Sequence, residues 1–168
     1  MHSVHSTDSE SIQSHTHYLA DEAETLKFGE RLATCLHPGL IIHLLGNLGA
    51  GKTTLTRGIL HGLGYSHIVK SPTYNLVEIY KISGLYLYHF DFYRFNHYSE
   101  WEEAGFRDYF NSDSICLVEW PEKAGSLLPS ADLQCFLNIL DSGRNIEIRS
   151  STETGKQCLT HWTTEKST

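Results

Sequence analysis

The stretch LIIHLLGNLGAGKTT, residues 40–54, decides the fold of this 168-residue chain. It opens with a continuous apolar run, residues 40–45, which is typical of a buried β-strand. The next residues match G-x-x-x-x-G-K-[ST], a loop whose backbone N–H groups surround phosphates. The fixed positions of that motif are Gly46, Gly51, Lys52 and Thr53. Apolar residues then recur at helical spacing over residues 55–63, so the order is strand, glycine loop, helix. This order predicts a nucleotide-binding α/β domain.

The loop chemistry assigns roles to its side chains. Lys52 is expected to reach the β- and γ-phosphates, and the hydroxyl of Thr53 is expected to ligate Mg²⁺. The start of the following helix adds a partial positive charge beside the phosphates. The residues predicted to bind the nucleotide here are Asn47, Leu48, Gly49, Ala50, Gly51, Lys52, Thr53 and Thr54.

A P-loop needs a further acid near the magnesium, and two carboxylates compete for that role. Glu119 follows the apolar run Ile115–Val118, which reads as a strand covered on both faces. Asp91 follows Leu85–Phe90, a strand whose alternation is less purely apolar. The residues favour Glu119 on physical grounds and leave Asp91 open.

Three further positions have both a functional and a structural interpretation. Ser71 and Thr73 lie in a Ser-Pro-Thr stretch, where a hydroxyl can sense magnesium and the γ-phosphate or merely belong to a turn. Trp120 could stack on a base or belong to the core.

The guanine-reading N-K-x-D motif is absent from the sequence, which favours ATP or ADP over guanine nucleotides.

The remaining pattern predicts one P-loop NTPase-like domain over residues 17–150, with a central sheet flanked by helices. Residues 1–16 read as a disordered polar tail, and residues 151–168 as a loosely ordered one. Asp21 is expected to begin a helix, Ile68–Val69 reads as strand-like, and residues 76–80 and 85–90 resemble a hairpin. The S-x-x-E spacing at Ser99 predicts a capped helix through about Phe110.

Charge and hydropathy limit the classes of partner. The formal net charge is −7, which disfavours unaided binding of nucleic acid. No apolar run is long enough to cross a bilayer, and the first residues lack a signal-peptide pattern, so a cytoplasmic location is expected.

Four blocks, GNLGAGKTT, SPTYNLVEIY, YHFDFYR and CLVEWPE, together resemble the TsaE family over about residues 20–150. The resemblance implies a small ATPase of tRNA threonylcarbamoyladenosine modification that uses Mg²⁺ with ATP or ADP. It also implies that ATP hydrolysis is stimulated on the TsaD–TsaB pair and allows repeated turnover of that complex. It further implies that TsaC acts upstream and that tRNA is contacted only through the partners.

The same resemblance implies specific residue roles. It makes Lys52 the phosphate lysine, Thr53 and Glu119 the metal ligands, and Asp91 a second acid that acts in hydrolysis. It also places Thr73 in a switch-like loop and Trp120 beside the nucleotide. The family commonly has Asp where this chain has Asn47; because Asn has a similar shape, we expect nucleotide binding to be retained.

Two other functions share the P-loop. A small-molecule kinase would need basic residues or a lid for its second substrate, and the middle of the chain offers few basic residues. A nucleotide-gated binding module would bind ATP without hydrolysing it. Activity measurements with and without partners separate these alternatives.

Overall fold

The computed structural model of the chain describes residues 13–72 and 75–165, with the side chains of residues 163–165 outside that description. Seven strands form one mixed sheet in the order β1-β7-β6-β2-β5-β4-β3. The strands are β1 Ser14–Leu19, β2 Ile41–Leu45, β3 Val77–Ile82, β4 Leu85–Asp91, β5 Ser114–Glu119, β6 Leu133–Ile139 and β7 Arg144–Ser150. The helices are α1 Glu22–Leu32, α2 Lys52–Gly62, α3 Tyr98–Glu103 and α4 Glu153–Glu165. Four short 3₁₀ turns complete the described elements, at Ala33–Cys35, Phe106–Tyr109, Pro121–Lys123 and Gly125–Leu127.

The central strands β4, β5, β2 and β6 are mutually parallel, and both flanks of the sheet are antiparallel. Parallel strands need crossover connections, and their carboxyl ends share one edge of the sheet. The loops that follow β2, β4 and β5 therefore meet at that edge. The predicted α/β class with a central sheet is confirmed.

Side-chain alternation separates two apolar layers. One face of the sheet packs against α1, α2 and α4, with fully buried Leu32, Leu55 and Leu159 among the contacts. The opposite face carries an aromatic cluster that includes Phe90, Phe92, Trp101 and Phe106. All six residues of β5 are buried, as its continuous apolar run predicts for a strand covered on both faces.

Helices α1 and α2 cross at glycines. A Cβ added at Gly29 would lie 2.6 Å from the carbonyl oxygen of Leu55, and one at Gly58 would overlap the carbonyl of Leu26. The two backbones are therefore close enough to exclude side chains. This contact holds α2, the helix after the P-loop, at a fixed distance from α1.

The start of the chain's described part corrects one prediction. Residues 14–16, which were expected in a disordered tail, belong to β1, and β1 pairs with β7 along its whole length. The histidines obscured the strand pattern, because His15 and His17 take the inward positions against Trp162. Residues 1–12 lie outside the described part.

A second prediction, the loosely ordered tail from residue 151, is also wrong. Residues 153–165 form α4 rather than a loose tail, and Cys158, Leu159 and Trp162 are buried. Thr152 begins the helix, since its hydroxyl accepts a hydrogen bond from Gly155 N–H at 3.1 Å. A few apolar residues on one face are enough to bury a helix that is polar on average.

Local turn chemistry explains the other differences. The capping box predicted at Ser99 is wrong: the helix begins at Tyr98, after His97, and no side chain caps it. It ends at Glu103 rather than near Phe110, because Gly105 adopts a left-handed conformation with φ +65°. Ile68–Val69 is not a strand, and Ile68 is exposed.

The predicted Asp21 cap is confirmed, because its carboxylate accepts a hydrogen bond from Glu24 N–H. The hairpin of β3 and β4 is confirmed as well.

None of the helices within residues 13–72 and 75–165 has the length and apolar composition needed to span a bilayer.

Candidate functional site

The glycine loop adopts a conformation that its sequence makes possible. Gly49 has φ +81° and Gly51 φ +107°, values in the left-handed region that favours glycine. Gly51 is the residue before α2, and no side chain caps that helix terminus. The first N–H groups of α2 are therefore available for an anion. The loop therefore has the backbone conformation and the uncapped helix terminus that the phosphate-binding prediction requires.

A cleft of about 650 Å³ opens beside this loop, a size suited to a nucleotide-sized ligand. Most of the predicted site residues line it: Leu48, Gly49, Gly51, Lys52, Thr53, Thr54, Ser71, Asp91, Glu119 and Trp120. Asn47 is exposed and Ala50 is buried, and neither lines the cleft; they are joined by an N–H···O bond of 3.1 Å from Ala50 to Asn47. Thr73 lies outside the described residues.

Lys52 sits inside the cleft and is largely buried. Its Nζ donates a hydrogen bond of 2.6 Å to the carbonyl oxygen of Gly46. It also lies 3.9 Å from the centre of a Trp120 ring, a cation–π distance. Burial lowers the pKa of Lys52, and the carboxylates of Glu119 and Asp91 act in the opposite direction. The ammonium thus has a neutral hydrogen-bond partner and an aromatic face.

The two candidate acids are neighbours. Strands β4 and β5 run parallel with Asp91 opposite Glu119, so both carboxylates reach the same edge of the sheet. Glu119 is buried, whereas Asp91 is half-buried. Burial raises the pKa of Asp91, partly offset by the Tyr93 N–H that donates to its Oδ1 at 3.0 Å. The structure therefore brings both competitors into one site.

His89 is a site residue that the sequence reasoning missed. Its Nε2 lies 2.6 Å from Oε2 of Glu119, and the His89 side chain is fully buried. His89 precedes Asp91 by two positions on β4, so both side chains belong to the same face of the sheet. That spacing was the available signal. Taken alone, a histidine within an apolar strand is commonly a core residue.

Arg144 is a second missed residue, and it comes from the far end of the sequence. It begins β7, lines the cleft, and donates from Nη1 to the carbonyl oxygen of Ala50 at 3.1 Å. A Cβ at Gly51 would overlap its guanidinium. A side chain at Gly51 would therefore displace the Arg144 guanidinium, while the φ of +107° is the reason for glycine at this position. No local sequence signal linked residue 144 to the loop.

Trp120 forms part of the wall of the cleft. Its backbone is left-handed, with φ +53°, which is uncommon for a non-glycine residue. Its ring is half-buried and packs against Tyr93 at 5.0 Å between ring centres. Trp120 therefore lines the cleft next to Lys52 and is partly packed against the aromatic cluster. Its stacking on a base stays a prediction.

The donor set suits magnesium better than a soft metal. Thr53, Asp91 and Glu119 offer hydroxyl and carboxylate oxygens, the ligands that Mg²⁺ prefers. Within the described part of the chain, no group of three His, Cys, Asp or Glu side chains forms a complete metal site. A magnesium ion here would therefore share its coordination between protein oxygens, water and phosphates, as it does in nucleotide sites.

The chain matches one protein-family model and several proteins that carry the same name. The family model described as "Threonylcarbamoyl adenosine biosynthesis protein TsaE" matches residues 19–149. A Haemophilus influenzae protein named tRNA threonylcarbamoyladenosine biosynthesis protein TsaE is 48% identical over 153 residues, covering 88% of this chain and 97% of the relative. A Bacillus subtilis protein of the same name is 41% identical over 114 residues, 68% of this chain and 71% of the relative.

A solved structure shares the architecture. The crystal structure of Bacillus subtilis YdiB superposes with a TM-score of 0.79 at 28% identity. The match covers 92% of this chain and 97% of that one.

Proposed function

This chain belongs to the TsaE family of tRNA threonylcarbamoyladenosine biosynthesis proteins, and we propose that it serves that pathway as a Mg²⁺-dependent ATPase. The observation that carries the proposal is the convergence of Lys52, Thr53, Asp91 and Glu119 on one cleft. These residues come from the P-loop helix and from the ends of two adjacent parallel strands. A site with a phosphate cation, a metal hydroxyl ligand and two acids is suited to phosphoryl transfer to water.

Different residues are assigned to the phosphates and to the magnesium ion of the nucleotide. The loop N–H groups and the α2 terminus bind the phosphates, with Gly49 and Gly51 keeping the backbone open to them. Lys52 exchanges the Gly46 carbonyl for phosphate oxygens. Thr53 and Glu119 would hold magnesium. Mg²⁺, when bound, neutralises charge on the phosphate oxygens.

Asp91 is assigned to the water rather than to the metal. It lies beside Glu119 at the edge of the cleft, and burial raises its pKa, which makes its carboxylate a better proton acceptor than an exposed one. We therefore assign Asp91 to orienting the attacking water and accepting its proton.

The partner-dependent part of the proposal rests on the family and on two surface properties. We propose that TsaD and TsaB dock on this chain and raise its rate of hydrolysis, and that hydrolysis allows their complex to turn over repeatedly. The net charge of −7 fits a protein that reaches tRNA through its partners. Leu48 and Tyr93 are exposed beside the cleft and give it an apolar rim that a docked protein could cover.

Phosphate release tests the proposal. We expect a low rate for the chain by itself and a higher rate when TsaD and TsaB are added. Lys52→Ala and Glu119→Ala should both abolish the stimulated rate, whereas Lys81→Ala, at an exposed lysine of β3, should leave it unchanged. A rate that does not rise with the cognate partners would contradict the partner-activated ATPase.

Two other outcomes would point to the alternatives. Transfer of phosphate to an added metabolite would identify a kinase. Tight ATP binding without turnover, with and without partners, would identify a nucleotide-gated binding module.

A further inference from the structure

The buried contact between His89 and Glu119 is a feature of the cleft that nucleotide binding by itself does not require. The two side chains meet at 2.6 Å, with 0% of the His89 side chain and 6% of the Glu119 side chain exposed. Polar groups so deeply buried are costly unless they are hydrogen-bonded. Each of them therefore restricts the other.

The contact uses one of the two carboxylate oxygens of Glu119. His89 binds Oε2, and among the described residues no hydrogen bond is formed to Oε1. Glu119 also lines the nucleotide cleft. The carboxylate is thus held by one oxygen, which leaves the other for a ligand in the cleft.

The second ring nitrogen of His89, Nδ1, has no hydrogen-bond partner in the described part of the chain, and it is buried. A proton relay would need a second partner on that nitrogen. The geometry therefore favours a role in orientation over one in proton transfer.

We propose that His89 is a positioning residue that fixes the orientation of Glu119, so that the free oxygen of this carboxylate is ready for the Mg²⁺ of a bound nucleotide. The inference rests on the proposed function, because it assigns the magnesium of that same site. Removing a residue that orients a metal ligand commonly lowers metal affinity by about 10- to 100-fold. A free carboxylate would instead have to lose rotamer freedom on binding the metal.

The test compares magnesium-dependent and magnesium-independent binding of one probe, the non-hydrolysable analogue adenosine 5′-(β,γ-imido)triphosphate. Affinity is measured by calorimetry with Mg²⁺ and with EDTA. For the unmodified chain we expect tighter binding with Mg²⁺. For His89→Leu we expect the gain from Mg²⁺ to fall by about 10- to 100-fold, with affinity in EDTA changed less than about twofold.

Two variants separate orientation from a general structural effect. His89→Gln retains a donor near the position of Nε2 and should keep most of the magnesium-dependent gain. His43→Leu removes a histidine on the opposite face of the same sheet and should bind like the unmodified chain. Thermal unfolding of all three variants shows whether each is folded; if His89→Leu is unfolded, the comparison of His89→Gln with His89→Asn, whose shorter amide cannot reach Glu119, decides the question.

The outcomes are distinct. Full magnesium-dependent gain in His89→Leu, or equal losses with Mg²⁺ and with EDTA, would overturn the positioning role and leave the proposed function intact. An unmodified chain whose affinity ignores Mg²⁺ would overturn the magnesium site itself, and the positioning role with it.

Discussion

The stability of this protein should depend on pH through His43, a histidine remote from the proposed chemistry. His43 lies on β2, and burial lowers its pKa from 6.5 to about 4. Its Nε2 is buried and finds no hydrogen-bond partner among the described residues. The folded state therefore holds this imidazole neutral, whereas the unfolded chain protonates it at the ordinary pKa of 6.5.

The sign and size follow from the two pKa values. Between pH 6.5 and pH 4 the unfolded chain binds the extra proton, so stability is lost as the pH falls through this window and is unaffected above it. Complete passage through the window corresponds to about 3 kcal/mol. Because His43 is half-buried rather than sealed, we expect about 2 kcal/mol to be lost between pH 7.5 and pH 4.5.

Urea unfolding at a series of pH values measures this loss. His43→Gln cannot titrate, so subtracting its unfolding free energy from that of the unmodified chain removes the contributions of all other groups. The difference should decrease by about 2 kcal/mol on acidification. Two pH profiles that run parallel within about 0.5 kcal/mol would refute the reasoning, because His43 would then titrate alike in both states.

Three further substitutions probe the helical layer and the P-loop. Gly58→Ala should destabilise the fold by about 2 kcal/mol in urea unfolding, since its Cβ would overlap the Leu26 carbonyl of the neighbouring helix. Trp162→Ala should cost about 3 to 5 kcal/mol while leaving nucleotide affinity unchanged, because its ring is buried between α4 and α1 away from the cleft; near-native stability would contradict the packed C-terminal helix. Arg144→Ala should weaken binding of the ATP analogue about tenfold by removing the donor to the Ala50 carbonyl, whereas Arg149→Ala, at an exposed arginine on the same strand, should not.

The elements that the sequence predicted well are those with strong local signals. The apolar run at residues 40–45 predicts β2, and the glycine loop predicts the start of α2. Both signals lie within a few consecutive residues, so they can be recognised without knowing the tertiary structure. The apolar run at residues 115–118 likewise gives β5, with Glu119 as its last residue. Both acids could be found because they end strands.

What the sequence did not predict depends on distant pairing. Strand β1 is held by β7, more than a hundred residues away, and its inward histidines do not read as apolar. Arg144 reaches the P-loop only because β7 places it there. The His89–Glu119 contact needs the register of β4 against β5, which sequence periodicity does not give.

The hydrogen bond of Lys52 explains how its ammonium can stay available to a phosphate although two carboxylates lie in the same cleft. Lys52 lies near Asp91 and Glu119, yet among the described ion pairs it forms none, and it donates instead to the neutral Gly46 carbonyl. Exchanging that bond for a phosphate costs less than breaking a buried salt bridge, because the latter leaves the other charge buried without a partner.

The two carboxylates impose the complementary requirement. A free triphosphate would bring further negative charge against Asp91 and Glu119, and the repulsion is strong where the surroundings are partly buried. A magnesium ion held by Thr53 and Glu119 would remove most of that repulsion. The same acids that suit the cleft to hydrolysis should therefore make nucleotide affinity depend on magnesium, and His89 sets how strongly one of them contributes.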